Sequence, residues 1–371
     1  MSQSDQPSGY GLASTASGGV IAAPELPYLP PQPRAFRPKL GLIGCGGISE
    51  YHLRAYRAMG LDVAALCDRE VARAEKRRTE FYPQAAVTAD YREVLRRDDV
   101  PVVDVATHPA ERVEIIEAAL RAGKHVLSQK PFALDLRVGE RLVALAAEKG
   151  RRLAVNQNGR WAPHYSYVAA AVRAGVIGEV ASVDIAMHWD HLWTTGTPFE
   201  EIHHLVLFDF GIHRFDIVTR FLTGRQPARV TATVARTTFQ QMKPPMLAQV
   251  AIDYPGAQVR LTFNGHVQFG QEDRTVICGA RGTLRSAGPS LSEQTVEVHL
   301  AEGRATPRLE GTWFSNGFQG AMGELLCAIE ENREPSNSAR DNLGSLALCF
   351  AALASADSGQ PVIPAEIRRN P

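Results

Sequence analysis

From Lys39 onward, short apolar runs alternate with amphipathic stretches. The runs Leu40–Ile43, Val63–Cys67, Val102–Val105, His125–Leu127 and Leu153–Val155 are almost continuously apolar, so strands formed from them need cover on both faces. Between them, residues about 48–59, 70–81, 110–122 and 135–149 repeat apolar side chains at helical intervals; Val113, Ile116 and Leu120 fall on one face. This alternation predicts an α/β domain over 39–159 with a parallel, doubly wound sheet. After a helix at about 163–174, closed by Gly175, the period changes. Residues 180–188, 228–238, 248–253, 257–264, 273–278 and 294–300 are rich in Val, Thr and Ile, with turn signals at Pro255-Gly256 and Ala280-Arg281-Gly282. They predict an α+β domain over 160–371 with a large, mostly antiparallel open sheet, one face of it solvated, followed by helices at about 317–331 and 340–358.

Residues 1–38 form a separate zone, first Ser, Gly, Gln and Ala, then Pro24, Pro27, Pro30, Pro31, Pro33 and Pro38. Proline excludes both helix and central strand here. Two readings stand: a disordered tail, or an extended arm that seats Leu26, Tyr28, Leu29 and Phe36 on a neighbouring surface.

Composition narrows the function. Lys and Arg number 40, as do Asp and Glu, so the formal charge is zero and gives no case for nucleic acid or an anionic membrane as partner. No apolar run approaches the roughly 20 residues of a spanning helix. The five cysteines (Cys45, Cys67, Cys278, Cys327, Cys349) are scattered and lack C-x-x-C spacing, which points to buried thiols in the reducing cytoplasm.

Three motifs carry chemistry. Gly44-Cys45-Gly46-Gly47-Ile48-Ser49 follows the first strand and opens the first helix, the setting of a Rossmann dinucleotide loop. Glycines permit the tight turn and close approach of a pyrophosphate, which the helix N-terminus favours. Asp68, at the end of the second strand, is placed to accept both adenosine ribose hydroxyls and so favours NAD; Arg69 keeps NADP open. The second motif, Ser128-Gln129-Lys130-Pro131, ends the strand begun at His125 and puts an ammonium at the carboxyl edge of the sheet, where such folds bind ligands. In the third, Asp209-Phe210-Gly211-Ile212-His213-Arg214-Phe215-Asp216, Asp209 and His213 are four apart and are expected on one face of a helix, in apolar surroundings that shift proton affinities.

Together these motifs resemble those of the glucose–fructose oxidoreductase, inositol dehydrogenase and rhizopine-catabolism (Gfo/Idh/MocA) family, over about residues 39–365. The resemblance rests on the glycine loop, on Ala119–Val126 running into Gln129-Lys130-Pro131, on the D-x-G-x-H-x-x-D run at 209–216, and on the closing stretch from Glu334 to Gly359. Two positions depart from the family: Gln129 replaces the usual Glu, and Arg112 stands where a histidine is common.

The resemblance implies hydride transfer between a nicotinamide cofactor and a carbinol carbon of a sugar, glycoside or polyol. His213 would act as general base, Lys130 would stabilise the developing oxyanion, and Asp209 would orient the pair. Gly44, Gly46, Gly47, Ile48, Asp68, Arg69, Thr107, Gln129 and Lys130 would hold the cofactor. Substrate contacts are expected from Asn158, Arg160 and Trp161 and from the polar, aromatic run that includes Asp190, His191 and His204. His188, Asp190, His191, His203 and His204 also raise a metal site, but no H-E-x-x-H pair fixes two ligands and the mechanism needs none, so no metal is expected. Two other readings remain: a glycosidase, epimerase or lyase in which bound NAD oxidises the sugar transiently, and a non-catalytic dinucleotide-dependent regulator. The open sheet face leads us to expect a homo-oligomer, dimer or tetramer.

Overall fold

The computed structural model describes residues 18–370. The first layer is a six-stranded parallel sheet in the order β3-β2-β1-β4-β5-β6. Its strands are β1 (Leu40–Ile43), β2 (Val63–Cys67), β3 (Ala86–Thr88), β4 (Val102–Val105), β5 (His125–Gln129) and β6 (Leu153–Asn156). The winding direction reverses between β1 and β4, which opens a crevice at the carboxyl ends of these strands. Helices α1 (Ser49–Ala58), α2 (Val71–Phe81), α3 (Tyr91–Leu95), α4 (Pro109–Arg121) and α5 (Leu136–Glu148) connect the strands. The three-residue edge strand β3 and the short α3 escape the apolar pattern because an edge strand has less to bury; Ala86 is exposed.

Helix α6 (Pro163–Arg173) leads into the second sheet, whose eight strands run in the order β14-β13-β12-β11-β7-β10-β9-β8. They are β7 (Val180–His188), β8 (Arg229–Ala235), β9 (Leu247–Tyr254), β10 (Ala257–Asn264), β11 (Glu272–Gly279), β12 (Gly282–Gly288), β13 (Thr295–Leu300) and β14 (Gly303–Ala305). β7 and β10 pair parallel, and the other neighbours are antiparallel. In β9 and β10, Ala248, Val250, Ile252, Val259, Leu261 and Phe263 are buried while Gln249, Ala251, Gln258 and Arg260 are exposed, so one face packs and the other is wet. The turn at Pro255-Gly256 closes the β9–β10 hairpin, with Gly256 at φ +73°. β12 is a strand that hydrophobicity did not mark: Thr283, Arg285 and Ser286 make it nearly as polar as a loop.

Helices α7 (Ile212–Phe221) and α9 (Ala339–Ser358) join the core under the large sheet. Helix α8 (Trp313–Glu330) does not remain with it. Phe318, Met322, Leu325 and Leu326 cluster with Leu53, Tyr56 and Leu61, so this late element packs on the α1 side of the parallel sheet. Apolar spacing within α8 cannot say which of two layers it will cover.

Residues 18–38 form an extended arm rather than a free tail. Val20 bridges to Arg304, Pro24 O accepts from Tyr167 Oη at 2.8 Å, and Tyr28 O accepts from Ser166 Oγ at 2.6 Å. The Glu330 carboxylate then accepts from the backbone N–H groups of Arg34, Ala35 and Phe36 at 2.8, 2.6 and 2.8 Å. Leu26, Tyr28 and Phe36 pack against the core, but Leu29 is half-exposed.

Candidate active site

The glycine loop takes the form its sequence requires. Gly44 has φ +100°, and a Cβ there would lie 2.7 Å from the Ala106 carbonyl carbon, so a side chain is excluded twice over. Gly46 and Gly47 face open space, with nothing within 4 Å of a Cβ position. No side chain caps α1 at Ile48. The N–H groups of Ser49, Glu50 and Tyr51 go to the carbonyls of Gly46, Gly47 and Ile48. Those of Gly46, Gly47 and Ile48, with no partner among the described residues, are the ones left for an anion. Asp68 Oδ2 accepts from Cys45 N at 2.8 Å and Oδ1 from Glu70 N at 2.9 Å, so this carboxylate is fixed between the loop and the start of α2. Arg69, largely exposed, pairs with Glu111 at 2.6 Å.

Motif reading missed Arg77. From α2 its buried guanidinium donates to Ser49 Oγ at 3.0 Å and reaches the carbonyls of Gly46 and Gly47, bracing the loop from behind. Thr107, just past β4, has a buried Oγ1 with no hydrogen-bond partner among the described residues. An open glycine cradle, free N–H groups just ahead of α1, a fixed carboxylate and an orphaned hydroxyl along one crevice fit a dinucleotide.

Gln129 is committed to the protein. Its Oε1 accepts from Lys130 N at 2.7 Å, so its Nε2 must donate to His52 Nε2, 3.1 Å away. His52 therefore carries its proton on Nδ1 and donates it to Asp104 Oδ2 at 2.6 Å, where Tyr56 Oη also donates at 2.5 Å. This buried chain is what the Gln129 side chain joins to the backbone of Lys130. Arg112 is buried as well. It donates to the carbonyls of Gln129 (2.6 Å), Pro131 and Thr107, and burial lowers its pKa to about 9. It ties the end of β4 to the cis Lys130-Pro131 step.

Lys130 Nζ lies 3.0 Å from Asp209 Oδ1 and 3.0 Å from the Asp209 carbonyl, which it bonds across 79 residues of sequence. Asp209 does not share an α-helical face with His213. Residues Val206–Phe210 form a π turn, with Gly211 N bonding Val206 O at 2.7 Å, and α7 starts only at Ile212. The wider turn swings the carboxylate to Lys130. His213, in the first turn of α7, stands edge-on to Trp313 (5.4 Å, 88°), and its Nδ1 is sealed with no partner among the described residues. Burial, then the charges of Lys130 and Arg214, push the His213 pKa well below the ordinary histidine value.

The expected substrate contacts fare differently. Arg160 is 3% exposed and saturated: it holds Asp216 bidentately at 2.6 Å and Asp341 at 2.6 Å, so it is a structural ion pair and not a sugar ligand. Trp161 is buried against Gly320, where a Cβ would strike its ring. Asn158 Oδ1 accepts from Trp313 Nε1 at 2.8 Å and so positions the ring beside His213. His191 is buried face-to-face on Phe210 (3.9 Å, 7°), and burial lowers its pKa to about 4. Asp190 Oδ1 accepts from Leu192 N, capping its own loop. His204 pairs with Asp357 at 2.8 Å. A cavity of about 700 Å³ between Leu192, Thr195, Phe239, His266 and Phe269 is lined by none of the Lys130–Asp209–His213 group.

A dinucleotide cradle that opens beside an ammonium, a carboxylate and a neutral imidazole defines an NAD-binding oxidoreductase. Residues 39–157 match the family model for the oxidoreductase family with an NAD-binding Rossmann fold, and 165–285 match the GFO/IDH/MocA C-terminal domain. The chain belongs to the GFO/IDH/MocA family. It is 30% identical to a myo-inositol dehydrogenase of Streptomyces leeuwenhoekii, over 88% of this chain and 99% of the relative. It is 29% identical to a D-apiose dehydrogenase of Paraburkholderia graminis, over 87% and 89%. Among solved structures it resembles an oxidoreductase from Agrobacterium radiobacter in complex with NAD+, L-tartaric acid and magnesium (TM-score 0.80, 25% identity, 89% of this chain and 99% of that one).

Proposed function

We propose that this chain transfers a hydride between NAD and a hydroxyl-bearing carbon of a sugar, glycoside or polyol, with Lys130, Asp209 and His213 at the reacting alcohol. The observation that carries this is the Lys130–Asp209 pair, at 3.0 Å, beside an imidazole held neutral. When bound, NAD accepts the hydride at its nicotinamide ring. With Nδ1 of His213 sealed, Nε2 is the nitrogen that takes the hydroxyl proton. The Lys130 ammonium donates to the same oxygen as negative charge grows on it, and Asp209 fixes that ammonium and reaches a neighbouring hydroxyl. Phe210, Phe199 and Trp193, with ring centroids 5.2–6.5 Å apart, offer apolar faces for a sugar ring. The names of the inositol and apiose dehydrogenases support a polyol or sugar. Asp68 beside the loop, with Arg69 drawn off to Glu111, supports NAD over NADP.

The test is a nicotinamide-absorbance screen against aldoses, inositols and glycosides, followed by Lys130→Ala and His213→Ala. Each variant is expected to lower kcat by at least about a hundredfold while still binding NAD. Unchanged turnover in both would overturn the assignment. The five cysteines are all free, which supports a reducing compartment such as the cytoplasm. The wet face of the large sheet supports a homo-oligomer.

A further inference from the structure

Two histidines just ahead of the π turn have no part in the chemistry above. His204 has φ +45°, a left-handed conformation uncommon outside glycine. Adjacent side chains in extended backbone point apart, but here the imidazoles of His203 and His204 lie together, with centroids 3.9 Å apart and planes 40° apart. Both present Nε2 to one carboxylate in the last turn of α9. His203 Nε2 is 2.9 and 3.1 Å from the two oxygens of Asp357, and His204 Nε2 is 2.8 Å from Oδ1. One ligand atom from each residue lies within 4.8 Å of the others.

We propose that His203, His204 and Asp357 form a binding site for a divalent transition metal of the zinc type. Two imidazoles and one carboxylate are a borderline-soft donor set that suits zinc, whereas calcium and magnesium call for oxygen. Zinc bonds these donors at about 2.0–2.2 Å, so tetrahedral ligand atoms stand roughly 3.4 Å apart. Each present hydrogen bond must open by only about half an ångström to admit the ion. Each neutral imidazole then coordinates through the Nε2 lone pair, its proton residing on Nδ1, and the carboxylate supplies one negative charge. Side-chain exposure of 51% at His203 and 38% at Asp357 lets an ion and its water enter, while His204, at 8%, anchors the site. The His204 carbonyl accepts from Leu207 N (2.8 Å) and Phe208 N (3.0 Å). A bound ion would therefore pin the start of the turn that carries Asp209 to the end of α9, which the sequence separates by 153 residues.

The test is calorimetric titration of zinc chloride into tag-free, chelator-treated, full-length protein. One equivalent is expected to bind with micromolar or tighter affinity, and cobalt(II) in its place is expected to show the visible absorption of a four-coordinate ion. His203→Ala and Asp357→Asn, both at exposed positions, should each weaken zinc binding by at least about tenfold with an unchanged circular dichroism spectrum. Absence of zinc uptake by the wild-type chain, or equal uptake by both variants, would overturn the proposal. Because the readout is metal binding and not turnover, it is independent of whether the sugar-dehydrogenase reading holds.

Discussion

Gln129 shows how one amide decides the state of a buried network. Its oxygen holds the backbone N–H of Lys130 and its nitrogen fixes the proton of His52, which in turn engages Asp104. Gln129→Leu, close in size, strips a donor from His52 and an acceptor from Lys130 N. It should therefore cost about 1–3 kcal/mol of stability, read from urea unfolding. A change below a few tenths of a kcal/mol would mean that the chain of bonds carries no stability. At this scale the sequence was partly legible. Lys130, Asp209 and His213 stand out because their motifs are local. Arg160 misled because its partners, Asp216 and Asp341, are 56 and 181 residues away, and nothing nearby marks a guanidinium as already satisfied. Arg77 and Arg112 were unreadable for the same reason: each supports backbone carbonyls brought close only by folding.

Among the elements, the π turn does the most to shape the site. An i, i+4 spacing reads as an α-helix, and only the Gly211-to-Val206 bond shows that the helix is widened where Asp209 must face Lys130. Gly211 permits the widening, since a Cβ on it would come within 2.6 Å of Leu207 O and 2.9 Å of Val206 O. Gly211→Ala should therefore push the turn aside, costing about 1–3 kcal/mol and moving Asp209 away from the ammonium. The expected result is a kcat lowered on the order of tenfold or more with NAD affinity retained. A variant with wild-type kcat would show that the turn tolerates the extra methyl. Strands β9 and β10 are legible because runs rich in Val, Thr and Ile flank a Pro-Gly turn, whereas the polar β12 and the short edges β3 and β14 carry no such run.

At the level of the whole molecule, histidines buried or half-buried in the fold lower its stability in acid. Burial, the leading cause in each, lowers the pKa of His164 to about 3 and of His125 and His191 to about 4, and holds His213 well below 6.5. Unfolding lets each take up a proton near pH 6.5 that the folded chain refuses. Stability is thus full above pH 6.5 and falls as the pH drops toward 4, each group adding about 1.4 kcal/mol per pH unit. Melting temperatures measured across that window should decline steadily, and a level profile would contradict the burial of these rings.

The proline-rich arm has a consequence for biosynthesis. Its docking points lie both at Ser166 and Tyr167, in the middle of the chain, and at Arg304, Glu310 and Glu330, late in the sequence. Until the later residues are made, the N–H groups of Arg34, Ala35 and Phe36 have only water to bond, while Pro24 and Tyr28 can already meet Tyr167 and Ser166. The arm therefore finishes seating only once the chain through Glu330 is in place, which makes it a late closure over surfaces formed earlier.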